Sequence, residues 1–129
     1  MMKIFDIYRT NAGEFELPYY EFNNMEKIAI KKIIIEWKSA PHKVFGIVTT
    51  NLICGFSENR RNQLCSFVKM PKSTITEAVF NDPIYYEVHR PFLQDSRLEI
   101  ESMFGEELPE MKNVYLQLVT KLQFRTDRH

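Results

Sequence analysis

Residues 113–125 read NVYLQLVTKLQFR, and this segment determines the predicted fold class. Apolar and polar side chains alternate over eleven positions, with Val119 and Thr120 as the interruption. The apolar set is Val114, Leu116, Leu118, Leu122 and Phe124, and the polar set is Tyr115, Gln117, Lys121, Gln123 and Arg125. A helix would scatter the apolar set around its circumference, whereas an extended chain places it on one face. The pattern therefore predicts a long amphipathic strand.

Shorter segments upstream also have strand character, because β-branched and aromatic residues are common and turn residues separate the runs. The candidate strands are residues 3–9, 15–22, 27–37, 43–53, 64–70, 84–89 and 97–104. Ser73–Phe80 stays open, because Ser or Thr followed by Glu can cap a short helix while Thr-Ile-Thr suits a strand. About seven or eight strands without a long helix predict an all-β fold, an antiparallel sandwich or barrel.

The segment Lys27 to Trp37 carries an irregular pattern. Its apolar residues alternate in one phase before Lys31 and Lys32 and in the other phase after them. Either a β-bulge or burial on both faces of the later part would produce this shift.

Length and composition predict one domain spanning residues 1–129. The chain has a mass of 15.4 kDa and is 44% hydrophobic, with 17 basic and 17 acidic side chains. Zero net charge provides no overall field toward nucleic acid or an anionic membrane, so we predict neither partner. No apolar run approaches the ~20 residues of a membrane span, and Asp6 argues against a signal peptide. These features predict an intracellular, non-secreted protein.

No cofactor or metal site is predicted from local sequence. The four glycines are scattered, so they form no phosphate-binding loop, and His42, His89 and His129 lie far apart. Cys54 and Cys65 are interpreted as buried thiols, although either could meet a histidine in space and act as a nucleophile.

Carboxylate pairs offer a second possible enzymatic reading. Glu99 and Glu101 lie two apart on a predicted strand, and Glu106 and Glu107 lie in the following turn. Glycoside hydrolysis needs a defined separation between two such groups across a cleft, whereas alternation on a strand is typical of a solvated face. We predict no catalytic residues and no enzyme.

One polar stretch is a candidate interaction loop. Arg60 and Arg61 could contact phosphates, and Phe56 could stack on a partner. These three residues are the interaction site that the sequence predicts.

The last third of the chain resembles the closing strands of viral jelly-roll proteins. The segments are Tyr85–Val88, Asp95–Glu101, a turn at Gly105, Val114–Leu118 and Leu122–Arg125. Their order is similar to that in the single jelly-roll penton or minor capsid proteins of the Polinton, virophage and adintovirus lineage.

This resemblance implies a jelly-roll β-sandwich with a structural, non-catalytic role. It implies self-association or contact with other capsid proteins through strand edges and loops, and location in a virion. The alternative is a small intracellular β-sandwich that binds a protein, peptide or sugar, with edge-strand addition as its mode. Self-assembly distinguishes these two functions.

Overall fold

The computed structural model describes residues 2–10, 14–16, 25–39, 42–51, 53, 62–88 and 97–122. These residues form nine strands and no helix. The strands are β1 Met2–Thr10, β2 Glu14–Glu16, β3 Met25–Trp37, β4 Val44–Thr50, β5 Gln63–Lys69, β6 Ile75–Val79, β7 Tyr86–Glu87, β8 Arg97–Ser102 and β9 Met111–Leu122. Within this part of the chain, no helix could cross a membrane.

The strands build two antiparallel sheets. The larger sheet has the order β1-β9-β3-β6, with the two-residue β7 paired to β3, and the smaller sheet has the order β2-β8-β4-β5. Apart from β7, eight strands remain, and their order is that of a jelly roll. The prediction of an all-β, antiparallel, jelly-roll-like sandwich is confirmed.

Strand β9 lies in the interior of the larger sheet, between β1 and β3. Its inward residues Val114, Leu116, Leu118 and Thr120 are fully buried, so the predicted alternation is confirmed within the described part of the strand. Val119, on the opposite face, is also buried. The interruption in the pattern therefore marks a place where β9 is covered on both sides.

Strand β3 contains the irregularity that its sequence predicts. Ile30 lies opposite Leu118, but Lys32 lies opposite Gln117, so the intervening Lys31 is an extra residue in the ladder. This bulge keeps apolar residues buried on both sides of the phase change, because one extra residue reverses which face each later side chain occupies.

Residues 73–80, for which the sequence allowed either a short helix or a strand, contain strand β6. Thr76 lies opposite Ile35 and is buried, and its hydroxyl accepts a hydrogen bond from Trp37 Nε1 at 2.9 Å. Strand β6 thus closes one side of the larger sheet and satisfies the buried indole N–H.

Candidate interaction surface

The outer side of the larger sheet is an exposed surface of mixed apolar and polar character, here called the open face. Successive side chains of a strand point to opposite faces of the sheet, so one set of residues points into the core and the other set points outward. Among the outward side chains, Ile4, Tyr8, Ile75 and Val79 are 58%, 59%, 56% and 51% exposed. Ile4 and Tyr8 lie on β1 at one edge of the sheet, and Ile75 and Val79 lie on β6 at the other edge. Large exposed side chains on one face of a sheet are a candidate protein-binding surface.

A shallow groove of about 350 Å³ crosses the open face. Tyr115 forms its middle, with Tyr8 opposite on β1 and Ile34 opposite on β3. Asn113 borders the groove and donates a hydrogen bond to Glu36 Oε1 at 2.7 Å. The groove therefore combines two aromatic rings and two aliphatic side chains, Ile34 and Ile75, with a polar border.

Asp6 is held in place on the open face by two side chains of β9. The Tyr115 hydroxyl donates to Asp6 Oδ1 at 2.5 Å, and Gln117 Nε2 donates to the same oxygen at 3.2 Å. These hydrogen bonds, chiefly that from Tyr115, lower the pKa of Asp6. The hydrogen bond to Asp6 also raises the pKa of Tyr115. Asp6 is therefore an oriented carboxylate at neutral pH.

The remaining charges on the open face have both signs. Lys32 Nζ lies 3.5 Å from Glu77 Oε2, and Lys112 Nζ lies 3.9 Å from Glu36 Oε2. Each such exposed pair stabilises the fold weakly. A surface with both signs can oppose a copy of itself without overall repulsion.

Strand β1 is an edge of the larger sheet. Its nine residues pair with β9 in an uninterrupted register, and within the described residues no strand pairs with its other side. Arg9 Nη1 donates to the backbone carbonyl of Tyr8 at 2.8 Å, so the exposed Arg9 side chain contacts the backbone of β1. A long regular edge with exposed apolar residues is a template for another strand.

A polar groove of about 370 Å³ lies on the smaller sheet. It contains both Glu99 and Glu101, which share one face of β8 as their spacing predicts. Glu101 Oε2 accepts a hydrogen bond from the Thr49 hydroxyl at 2.6 Å. Asn51 and Arg97 lie at the same groove, where Asn51 Oδ1 accepts from Arg97 N at 3.0 Å. Among the described residues, no cluster of three or more His, Cys, Asp or Glu side chains could hold a metal ion.

The remaining sites considered from the sequence are only partly described. The predicted interaction residues Phe56, Arg60 and Arg61 lie outside the described residues, as do Cys54, His89 and His129. Cys65 is packed against the core, and burial raises the pKa of its thiol to about 12. A thiol with this pKa is a poor nucleophile at neutral pH.

Sequence reasoning missed the open face. The available signal was Ile4, Asp6 and Tyr8, which alternate with the apolar Phe5 and Ile7 near the start of the chain. That pattern identifies an outward set with two large apolar members. It does not show that β1 is an edge strand, because the order of strands in a sheet is not a local property.

Comparisons with known proteins leave the family open. No protein-family model and no curated protein matches the chain. One similar solved structure is the Drosophila NLP core, described in connection with pentamer formation and histone binding, at 10% identity and a TM-score of 0.43. The match covers 95% of this chain and 98% of the NLP core.

A second similar structure is the mavirus penton protein, at 15% identity and a TM-score of 0.32. The match covers 74% of this chain and 35% of the penton chain. Because both TM-scores are below 0.5, neither similarity is a basis for assigning a function to this chain.

Proposed function

We propose that this protein is a non-enzymatic structural subunit that associates with copies of itself through the open face and the edge of β1. The single observation that carries the proposal is the coincidence of large exposed apolar side chains, Ile4 and Tyr8, with an edge strand of nine regular residues. Exposed apolar surface and an unpaired strand edge each favour association, and here they occupy the same element.

The charge of the molecule supports association between identical copies. Its 17 basic and 17 acidic side chains give zero net charge, so copies at neutral pH have little long-range repulsion. The open face itself carries ion pairs of both signs, such as Lys32 with Glu77. Neither the zero net charge nor the mixed ion pairs favour a strongly acidic or strongly basic partner over a second copy.

The setting that we propose is a viral or mobile-element capsid, in which the chain is a penton-like or minor capsid subunit. This finer proposal rests on the sequence resemblance of the last third of the chain. It carries the further expectations that other capsid proteins are partners and that the protein is located in the virion. An intracellular location is the expectation outside a viral setting.

Solution mass tests the proposed function. Multi-angle light scattering over a wide range of protein concentration and salt should detect discrete oligomers or closed particles. Ile4→Asp should reduce the average mass, whereas Val68→Asp should not. Val68 is a matched control because it is also an exposed strand residue, 42% accessible, but lies on the smaller sheet. A strict monomer at every concentration would contradict the proposed function.

The alternative proposal is a binding module for a protein, peptide or sugar. The polar groove on the smaller sheet supports it, because Thr49, Asn51 and Arg97 provide hydrogen-bonding groups beside Glu101. A few converging polar groups in a concave site are typical of ligand recognition. A monomer in the light-scattering experiment would favour this alternative.

A further inference from the structure

We propose that β1 pairs antiparallel with β1 of a second copy. The two-fold axis that relates the copies passes between their two Ile7 residues, which lie directly opposite each other. This inference rests on the proposed function and specifies its interface. The two larger sheets would join into one continuous sheet, and the second copy would satisfy backbone groups at the edge of β1. A two-fold contact needs only one self-complementary surface, which β1 provides.

The faces of β1 limit which registers are possible. Phe5 and Ile7 point inward, while Ile4, Asp6 and Tyr8 point outward. Residues directly opposite in an antiparallel pair share a face, so inward residues must oppose inward residues in a continuous sandwich. The registers with the longest overlap are therefore those centred on Phe5, Asp6 or Ile7.

Charge selects among these three registers. Centring on Asp6 would place two Asp6 carboxylates opposite each other and would oppose Lys3 to Arg9 twice, and like charges at opposed positions are destabilising. Centring on Phe5 would oppose Asp6 to Ile4, which gives the carboxylate an apolar neighbour. Centring on Ile7 opposes Asp6 to Tyr8, whose hydroxyl can donate to it.

Contacts within one copy already orient groups that this pairing would use. Tyr115 and Gln117 fix the Asp6 carboxylate from the β9 side, while β1 faces the open edge on the other side. The Tyr8 carbonyl accepts a hydrogen bond from the exposed Arg9 side chain. In the proposed pair the Asp6 N–H of the second copy replaces the Arg9 guanidinium as the donor to the Tyr8 carbonyl.

Two substitutions of opposite charge at Tyr8 test the register. Tyr8→Glu would place a carboxylate opposite Asp6 at two symmetric positions, so we expect dimerisation about tenfold weaker. Tyr8→Lys removes the same phenol but opposes a cation to Asp6, so its dimerisation should equal or exceed that of the wild type. Analytical ultracentrifugation measures both constants. Val68→Glu and Val68→Lys are the control pair and should not differ from each other.

Disulfide trapping gives a second measurement. In a Cys54→Ser, Cys65→Ala background, Asp6→Cys mixed with Tyr8→Cys should form an intermolecular disulfide, because directly opposite residues lie within bonding range. Asp6→Cys mixed with Ile4→Cys reports the register centred on Phe5 and should not cross-link. Circular dichroism of each variant shows that the fold is retained.

The outcomes separate the inference from the function on which it rests. A wild-type monomer would overturn both. Oligomers that respond equally to Tyr8→Glu and Tyr8→Lys, or that cross-link through Ile4 and not Tyr8, would overturn the register and leave self-association intact. Opposite effects of the two Tyr8 variants, together with the Asp6–Tyr8 cross-link, support the proposed interface.

Discussion

The ring of Phe67 packs directly against Gly46 on the neighbouring strand. The two residues are opposed in the register of β4 and β5, and a Cβ built on Gly46 would lie 2.1 Å from Phe67 Cζ. The same ring lies 6.4 Å from the ring of Trp37, measured between centroids, in the core. The missing side chain of Gly46 thus makes room for an aromatic contact that links the two sheets.

Gly46→Ala should therefore lower the free energy of unfolding by about 1–3 kcal/mol, as overpacking in a core usually does. Denaturant unfolding measures the change. Gly105→Ala is the control, because Gly105 has open space around it and a φ of 77°. That variant tests backbone strain alone, at about 1–2 kcal/mol. Rescue of Gly46→Ala by Phe67→Leu would identify the contact, whereas unchanged stability of Gly46→Ala would contradict the steric explanation.

The sequence predicts those features of the fold that depend on local periodicity. The two-residue period of β9 and the phase change in β3 are local patterns, and both correspond to observed structure. The role of Gly46 is different, because it depends on which residue lies opposite on β5. Sequence spacing does not contain that register, so the glycine could not be distinguished from the others.

The contacts between strands on the open face could not be predicted for the same reason. Asp6 and Tyr115 are hydrogen-bonded although they are 109 residues apart. Each residue is an ordinary polar member of an alternating strand, and only the pairing of β1 with β9 joins them. The inward position of Lys69 was also missed, because lysine is rarely buried and a strand ending in Lys is usually read as reaching solvent.

Cys65 should be unreactive in the folded protein. Burial raises the pKa of its thiol to about 12, so very little thiolate exists near pH 8. In a Cys54→Ser background, iodoacetamide should modify Cys65 only after denaturant is added, as measured by mass spectrometry. Rapid modification of the native protein at pH 8 would contradict the buried position and would reopen the interpretation of Cys65 as a nucleophile.

Lys69 should make stability depend on pH in the alkaline range. Its side chain is fully buried, and Nζ donates to the carbonyls of His42 and Met70 at 3.0 and 3.3 Å. Burial lowers the pKa of Lys69. Between this lowered pKa and about 10.4, its value in an unfolded chain, the unfolded state binds more protons. Stability therefore rises with pH across this window.

Lys69→Met should remove that dependence. The difference in unfolding free energy between wild type and variant should shift in favour of the wild type as pH increases toward about 10.4. Chemical denaturation at a series of pH values measures it. Lys72→Met, at an exposed turn position, is the control and should follow the wild-type profile. A difference that stays constant with pH would show that Lys69 keeps its ordinary pKa in the folded state.

Tyr115→Phe should raise the pKa of Asp6. The Tyr115 hydroxyl is the larger of the two hydrogen-bond contributions that lower this pKa, so Gln117→Ala should have the smaller effect, and Tyr85→Phe should have none. NMR titration of the Asp6 carboxyl carbon measures all three variants. The stability that the carboxylate contributes is present above about 3.9, the pKa of an unfolded aspartate, and is lost as pH falls through the lower folded pKa. Because Tyr115→Phe raises the folded pKa of Asp6, it narrows the pH range between the folded and the unfolded pKa of this carboxyl. An unchanged Asp6 pKa in Tyr115→Phe would mean that the phenol does not orient this carboxylate, and the edge of β1 would then lack the fixed charge on which the proposed register depends.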